Sequence, residues 1–330
     1  KRFMAVHIFV VDDSNYEICV RRGLAAIPDS DNPNTMDGLI SRMAMVKKGD
    51  YVLFYIILKK ELRGIFRVLD GPFYDKTEVW PVVNNQYYPL RIRIENSQYV
   101  FPNPIRLSDI YDLRDRGKVW TFALKRPGFG SRNVMFSISS DEFEELFNLY
   151  LKLNPIYGEP HQIEEPYRYC PPNLLNYLSI DKCTYIPKYE YTLMSLLSDG
   201  LAKGRYKNIF GDYSDYLCYV PTSFDKEIDV LLVFSHPENR KQIIAYNIIE
   251  LKKDRFDEMA LGQLLQYEDW FLRKKVNGDS CTLRTTAIAK RFDIKVITYL
   301  RTRKLLENKY VTLLEYKNTQ NGLEVKSIEY

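Results

Sequence analysis

The chain has 330 residues, with 45% apolar and 27% charged residues and a formal net charge of +4. This length exceeds the usual size of one hydrophobic core, so two domains are expected. No apolar run is long enough to span a bilayer and the first residues do not fit a signal peptide, which predicts a cytoplasmic protein without a membrane partner. The five scattered cysteines favour reduced thiols over a disulfide framework or a zinc site.

The first half of the chain reads as mostly β-structure. Apolar and β-branched runs are separated by polar or glycine-containing connections, as is typical of strands. A helix is expected to close this half, because Ser140 can cap it, acidic residues fill its first turn, and Phe143, Leu146 and Tyr150 recur at helical spacing. The predicted strands are AVHIFVV, DYVLFYIIL, RGIFRVL, LRIRIE and VMFSIS.

A proline-rich stretch separates the two halves. Prolines break both helices and strand ladders, and six of them fall between residues 154 and 187. We therefore predict a domain at residues 1–153, a linker at 154–187 with a helical turn near its centre, and a second domain at 188–330.

The second half alternates helices and strands, as α/β proteins do. Helices are expected from about Tyr189 to Gly200 and from about Arg255 to Lys275, with a β-hairpin between them. A further strand, DIKVITYL, and a final pair of strands near Tyr310 and Leu323 complete the prediction.

Charged residues occur within the apolar hairpin. Asp229 opens its first strand, and Glu250 and Lys252 lie two residues apart in the second, so the latter two share a face. Antiparallel pairing would bring Asp229 beside them. Burying a charge is expensive unless it is paired or bound to a metal. Two carboxylates and one ammonium suit phosphodiester hydrolysis, in which acids hold Mg²⁺ and a lysine orients water or steadies developing charge.

Two helices carry polar groups on otherwise apolar faces. Glu190 shares a face with Leu193 and Leu197, and Gln263 precedes Tyr267 and Trp270 at helical spacing. A glutamine that points at the sheet beside the carboxylates could position the attacking water or a phosphate. Taken singly, each residue is more often a surface group or a solvated ion pair.

This constellation resembles the PD-(D/E)xK nuclease superfamily. The segments "IDVLLV … IIELKK … GQLLQYEDW" make the sequence similar to the catalytic domain of the NucS-like endonucleases over about residues 188–305. The resemblance implies a restriction-endonuclease-like α/β fold and DNA cleavage that depends on Mg²⁺ or Mn²⁺. It also implies a catalytic set and, within it, a metal site that adds the Leu251 carbonyl to two carboxylates. The catalytic set is Glu190, Asp229, Glu250, Lys252 and Gln263, and the metal ligands are Asp229, Glu250 and Leu251.

The first half resembles the EVE domain, a relative of the PUA and YTH modules. The segments that carry this likeness are "VKKGDYVLFYI", "RGIFRVLDGPFYDKTEVWP" and "QYYPLRIRI". The resemblance implies a mainly β, PUA-like barrel with helices that holds a modified base flipped into an aromatic pocket. Core packing is the alternative for the tryptophans. The expected wall residues are Tyr55, Trp80 and Trp120, and the expected base-edge contacts are Asp13, Ser14 and Asn15.

The two halves together predict a modification-dependent restriction endonuclease, which recognises a modified base in DNA and cuts the backbone nearby. The alternatives are a NucS-like repair or structure-specific nuclease, an RNA-directed nuclease, and a non-catalytic reader of modified bases. Cutting both strands requires two active sites or two events, which favours a homodimer.

Overall fold

The computed structural model describes residues 4–82, 86–126, 128, 131–164, 173–239 and 242–330. The chain divides into two compact units, Lys1–Leu178 and Ser179–Tyr330. The boundary between them falls inside the predicted linker, of which residues 165–172 lie outside the described part. No helix in the described ranges is both long and apolar enough to cross a membrane.

Unit 1 is one mixed sheet with helices. Its strand order is β2-β5-β4-β3-β1-β7, with β6 paired to β4. The β1 and β3 strands are parallel, and the other pairs in this sheet are antiparallel. The elements are β1 Val6–Val11, α1 Asp13–Arg22, β2 Leu24–Ile27, α2 Pro33–Met43, β3 Tyr51–Ile56, β4 Glu61–Tyr74, β5 Leu90–Asn96, β6 Ile105–Arg106, α3 Leu107–Asp115, β7 Met135–Ile138 and α4 Ser140–Leu153.

The five predicted strands of unit 1 and its closing helix are confirmed, but the predicted barrel is wrong. Closure would require the two terminal strands to be hydrogen-bonded to each other. Among the described residues β2 pairs only with β5 and β7 only with β1, and each has four residues. The sheet is therefore open. The described residues of unit 1 also include four α-helices, which makes this unit α/β rather than mainly β.

Helix α1 was not predicted, although its end signals are in the sequence. Asp12 caps its start by accepting the backbone N–H of Asn15, and Gly23 ends it at φ 61°. This helix places Asp13, Ser14 and Asn15 in its first turn instead of at the end of a strand.

Unit 2 is a six-stranded sheet in the order β13-β12-β11-β10-β9-β8. The three strands β10, β11 and β12 are parallel, and the flanking pairs are antiparallel. The predicted α/β class of this half is confirmed. Its elements are α5 Glu190–Ala202, α6 Lys207–Phe210, β8 Asp215–Pro221, β9 Glu227–Ser235, β10 Ile243–Phe256, α7 Glu258–Lys274, β11 Leu283–Phe292, α8 Ile294–Glu307, β12 Thr312–Thr319 and β13 Gly322–Ile328.

The predicted strand DIKVITYL is wrong, because this segment begins helix α8. Asp293 caps the helix by accepting the backbone N–H of Lys295, and Val296 and Leu300, four residues apart, are its buried face. The β-branched residues suggested a strand, but tertiary packing outweighs that propensity.

The segment after α4 belongs to unit 1. The ring of His161 stacks on Phe66 at 5.6 Å between ring centroids, and Tyr177 stacks on Tyr74 at 4.1 Å. The backbone N–H of Glu164 donates to the carbonyl of Arg21 at 2.8 Å. Residues beyond the predicted domain end at 153 therefore complete the packing of the first unit.

We predict that a fragment of residues 1–178 unfolds at higher urea concentration than a fragment of residues 1–153. The longer fragment keeps two aromatic stacks and a backbone hydrogen bond, which together contribute about 1.5–4.5 kcal/mol. Equilibrium urea unfolding of both fragments, followed by circular dichroism, measures the difference. Equal stabilities would show that the segment does not belong to this unit.

Candidate functional site

The carboxylate of Asp229 ends the ladder between β9 and β10. The last recorded pair of that ladder is Val230 with Ile249. One residue further, the Oδ2 of Asp229 accepts the backbone N–H of Leu251 at 2.8 Å, so a side chain replaces the backbone as acceptor. The register places Asp229 opposite Glu250, and opposite residues of an antiparallel pair share a face.

Tyr219 on β8 faces Asp229 in an irregular conformation. The pairs on either side, Cys218 with Val230 and Val220 with Ile228, keep their register. Tyr219 itself has φ 59°, in the left-handed backbone region that residues other than glycine rarely adopt. Such conformations cost roughly 1–3 kcal/mol and cluster at functional sites. The strand pairing is thus interrupted on both sides of Asp229.

Glu250 and Lys252 form an ion pair at the same level of the sheet. The Nζ of Lys252 donates to Oε1 of Glu250 at 2.8 Å and lies 3.3 Å from Oε1 of Glu190 at the start of α5. The Glu250 side chain is fully buried, whereas 47% of the Glu190 side chain is exposed. The structure therefore brings four of the predicted catalytic residues together: Glu190, Asp229, Glu250 and Lys252.

Burial and mutual repulsion perturb these groups. Burial raises the pKa of Asp229 to about 6; the charge of Glu190 adds to this increase, while Lys252 opposes it. Burial, followed by the charge of Asp229, holds the pKa of Glu250 well above its ordinary value. Although burial lowers the pKa of Lys252, the three surrounding carboxylates raise it overall, so its ammonium form is stabilised.

The buried carboxylates fit a divalent cation. The Oε2 of Glu250 is buried and has no hydrogen-bond partner among the described residues. A buried carboxylate oxygen without a partner is costly, and a cation beside it and Asp229 would offset that cost. In the described ranges no three His, Cys, Asp or Glu side chains form a metal-binding group by themselves. Mg²⁺ commonly takes only one or two carboxylates and fills its remaining positions with other oxygens and water.

Helix α7 reaches the site through Tyr267. The Tyr267 hydroxyl donates to the carbonyl of Glu227, two residues before Asp229, and accepts from Nε2 of Gln263, each at 2.7 Å. Tyr267 is fully buried, and burial, followed by the charge of Glu250, raises its pKa. Gln263 is thus held against the Tyr267 hydroxyl in this structure. The sequence prediction of the catalytic set left out Tyr267, although its helical spacing from Gln263 was visible.

Three basic segments occur late in the chain, at residues 273–275, 290–291 and 301–304, and they do not share one end of the sheet. Lys290 and Arg291 are exposed at the end of β11, one and two residues beyond Ala289, which pairs with Lys252. Arg273 and Lys274 end helix α7, which runs away from the end of β10. Arg303 is buried, where it donates to Glu268 at 3.1 Å. Of these segments, Lys290 and Arg291 lie at the end of the sheet that carries Lys252.

Unit 1 contains a cavity of about 120 Å³ at the start of α1. The walls are mostly apolar, with a few polar groups, as is typical of small-molecule pockets. The Trp80 and Tyr88 rings lie 5.8 Å apart, and the guanidinium of Arg91 covers the Trp80 ring at 5.2 Å. The lining residues are Val10, Val11, Asp12, Asn15, Cys19, Ala26, Ile27, Pro28, Ile57, Trp80, Gln86, Tyr88 and Val134.

Of the six predicted base contacts, the structure places Asn15 and Trp80 on this cavity. Ser14 is exposed and donates to Asp12, and Asp13 forms an ion pair with Lys59. Neither of them lines the cavity.

The two other predicted wall residues are also elsewhere in unit 1. Tyr55 is buried against Phe122 in the main core, with 6.2 Å between ring centroids. The backbone N–H of Trp120 donates to the buried carboxylate of Glu142. The sequence reading missed Asp12, Cys19 and Tyr88, because nothing local shows that α1 and the segment before β5 face each other.

No protein-family model matches the chain, and no curated protein sequence matches it. Several solved structures overlap it in part. A hypothetical protein from Leishmania major is 13% identical over 46% of this chain and 96% of its own, with a TM-score of 0.32. A complex of the YTH domain-containing protein mmi1 with RNA is 12% identical over 44% of this chain and 81% of its own, with a TM-score of 0.30.

A repair endonuclease from Pyrococcus abyssi is 17% identical over 35% of this chain, with a TM-score of 0.25. This chain spans 45% of that endonuclease's length. Overlaps at such scores assign neither a fold nor a function, so the functional proposal rests on the site residues themselves.

We predict that Asp229→Asn stabilises the metal-free protein at neutral pH. The folded-state pKa of about 6 lies above the ordinary value of 3.8, so the native state favours the protonated carboxyl. Its stabilising contribution is present below about pH 4 and is lost as the pH rises through 6. Relative to the variant, the unsubstituted protein should lose up to about 3 kcal/mol across that window.

Urea unfolding in the presence of a chelator, at a series of pH values, measures this loss. The matched control is Asp254→Asn, which removes an exposed carboxylate from the same strand. A difference between Asp229→Asn and the unsubstituted protein that does not change with pH would contradict the assigned burial.

Proposed function

We propose that the chain is a modification-dependent DNA endonuclease, in which unit 1 binds a modified base and unit 2 hydrolyses the phosphodiester backbone. The observation that carries the proposal is the Lys252 ammonium, held between Glu250 and Glu190 beside a second buried carboxylate, Asp229. A purely structural sheet would carry apolar residues at these positions, because burying like charges together destabilises the fold.

Asp229, Glu250 and the carbonyl of Leu251 would hold the metal ion. Bound Mg²⁺ or Mn²⁺ would neutralise phosphate charge and lower the pKa of a water molecule. Lys252 is the donor of the site: its ammonium can orient the attacking water or donate to a phosphate oxygen that gains charge. Glu190 is half-exposed and would keep this ammonium directed toward the solvent-exposed side of the site. Gln263 and Tyr267 fix the start of β9, and therefore the position of Asp229.

The cavity of unit 1 supports base reading. One face of Trp80 is covered by Arg91, which does not line the cavity, so the ring can still offer a stacking surface inside it. Asn15 adds an amide at the same cavity, a group that can read the edge of a base. We propose Asn15 and Trp80 as base contacts. Asp13, Ser14, Tyr55 and Trp120 do not belong to this proposal.

One assay separates the proposal from its alternatives. The protein is incubated with DNA carrying a modified base, with the same DNA unmodified, and with RNA, each with Mg²⁺ or with a chelator. Cleavage of modified DNA only with Mg²⁺ supports the proposal. Cleavage of RNA alone indicates an RNA-directed nuclease, and cleavage that depends on DNA structure rather than modification indicates a repair nuclease. Binding without cleavage indicates a reader.

We predict that Lys252→Ala abolishes cleavage and leaves DNA affinity nearly unchanged. The ammonium acts in the chemical step, whereas affinity for the backbone comes from exposed basic residues. Cleavage rates and fluorescence anisotropy, the latter in Ca²⁺ to block turnover, measure both effects. The companion variant Lys290→Ala/Arg291→Ala should show the reverse pattern, with weaker binding and a shallower salt dependence. Full cleavage activity of Lys252→Ala would remove Lys252 from the chemistry.

We also predict that Trp80→Leu lowers the preference for modified over unmodified DNA by about 1–3 kcal/mol, the usual contribution of one stacked base. Trp80→Phe keeps an aromatic face and should retain most of the preference. The control is Trp120→Leu, the same chemical change at a tryptophan that does not line the cavity. Anisotropy titrations give the preference, and thermal melts confirm folding. An unchanged preference in folded Trp80→Leu would exclude Trp80 as a base contact.

A further inference from the structure

Strand β10 has a bulge immediately after Lys252. Up to Lys252, each residue of β10 pairs with the next residue of the parallel strand β11, and Lys252 pairs with Ala289. The pairing resumes with Arg255 opposite Arg291, so β10 contains one more residue than β11 over this stretch. A bulge leaves its extra residue unpaired, bends the strand and changes the direction of the neighbouring side chains. The direction of Lys252 therefore depends on how the bulge at Lys253 and Asp254 is held.

Tyr316 on β12 holds this bulge from two strands away. Its hydroxyl donates to the carbonyl of Lys253. The strand register explains how Tyr316 can contact Lys253 across β11. Ala289 on β11 pairs with Lys252 on β10 and with Glu315 on β12, so the next residues, Lys253 and Tyr316, lie at the same level of the sheet. Tyr316 is 7% exposed, so the Lys253 carbonyl is hydrogen-bonded to a buried side chain.

The surroundings of Tyr316 keep its hydroxyl protonated. Burial raises its pKa, and the negative charges of Asp254 and Glu190 raise it further. The hydroxyl therefore stays protonated and remains a donor. Glu190 is the carboxylate that also lies 3.3 Å from the Lys252 ammonium.

We propose that Tyr316 is a positioning residue for Lys252: by holding the Lys253 carbonyl, it fixes the bulge that keeps the ammonium between Glu250 and Glu190. The catalytic consequence of this contact rests on the proposed function, but its effect on Lys252 does not. The two are therefore measured separately.

The test variant is Tyr316→Phe, which removes the hydroxyl and keeps the ring. The matched control is Tyr213→Phe, because the Tyr213 hydroxyl also donates to a backbone carbonyl, that of Leu201, at 2.7 Å. The two tyrosines are equally buried, at 8% exposure for Tyr213 and 7% for Tyr316. Each variant loses one buried hydroxyl, so a general loosening of the fold should affect both alike.

The first readout is the rate at which an amine-acylating reagent modifies Lys252 in the full-length, metal-free protein, measured by mass spectrometry. We expect severalfold faster modification in Tyr316→Phe and an unchanged rate in Tyr213→Phe. An unchanged rate in Tyr316→Phe overturns the assignment whether or not the protein cleaves nucleic acid. Equal acceleration in both variants overturns it as well, and so does failure of Tyr316→Phe alone to fold, since Tyr316 would then be a structural residue.

The second readout is cleavage of modified DNA. Loss of a residue that orients a catalytic group typically costs about 10- to 100-fold in activity. We expect a decrease of this size in kcat for Tyr316→Phe, with KM and DNA affinity unchanged, and no decrease for Tyr213→Phe. If Lys252 modification accelerates while the unsubstituted protein cleaves no substrate, the positioning role stands and the nuclease function falls. If modification accelerates and kcat is unchanged, the link from Tyr316 to catalysis is overturned.

Discussion

The structure of unit 2 has to accommodate two buried carboxylates that repel each other inside its sheet. Asp229 and Glu250 are neighbours on adjacent strands, and burial raises the pKa of both. A single ammonium, Lys252, offsets part of the repulsion, and one oxygen of Glu250 still has no partner among the described residues. Buried ion pairs seldom add net stability, because their desolvation costs about as much as their attraction returns. The surrounding sheet must therefore stabilise this arrangement.

The departures from regular sheet geometry concentrate around these charges. The backbone of Tyr219 is left-handed opposite Asp229, and β10 bulges directly after Lys252. Two buried tyrosine hydroxyls bind backbone carbonyls at the two ends of the site, Tyr267 at Glu227 before Asp229 and Tyr316 at Lys253 after Lys252. The carbonyl of Lys253 in the bulge is bound by a side chain from a different strand, that of Tyr316. Such compensation keeps an otherwise unfavourable geometry rigid.

The sequence predicted that Asp229, Glu250 and Lys252 lie close together, because that prediction needed only local rules. Alternation along a strand puts Glu250 and Lys252 on one face, and a short hairpin brings Asp229 beside them. The role of Tyr316 could not be predicted in this way, since it depends on the register between strands far apart in the chain. The left-handed backbone of Tyr219 could not be predicted either, because tyrosine rarely adopts that conformation. The same limit applies to unit 1, where Trp80 and Asn15 were named but Tyr88 and Cys19 were not. The error in α1 was avoidable, since Asp12 and Gly23 are ordinary helix-end residues.

In unit 1 the geometry of the cavity follows from a buried arginine. Arg91 is 2% exposed, donates to Asp75 at 3.1 Å and to the carbonyl of Tyr88 at 2.7 Å, and packs on Trp80. A buried guanidinium needs all of these partners to offset its desolvation, so it fixes both aromatic residues relative to β5. Because Arg91 covers Trp80 without lining the cavity, a planar ligand in the cavity would stack on one face of that ring only. Aliphatic side chains such as Val10 and Ile57 also line the cavity.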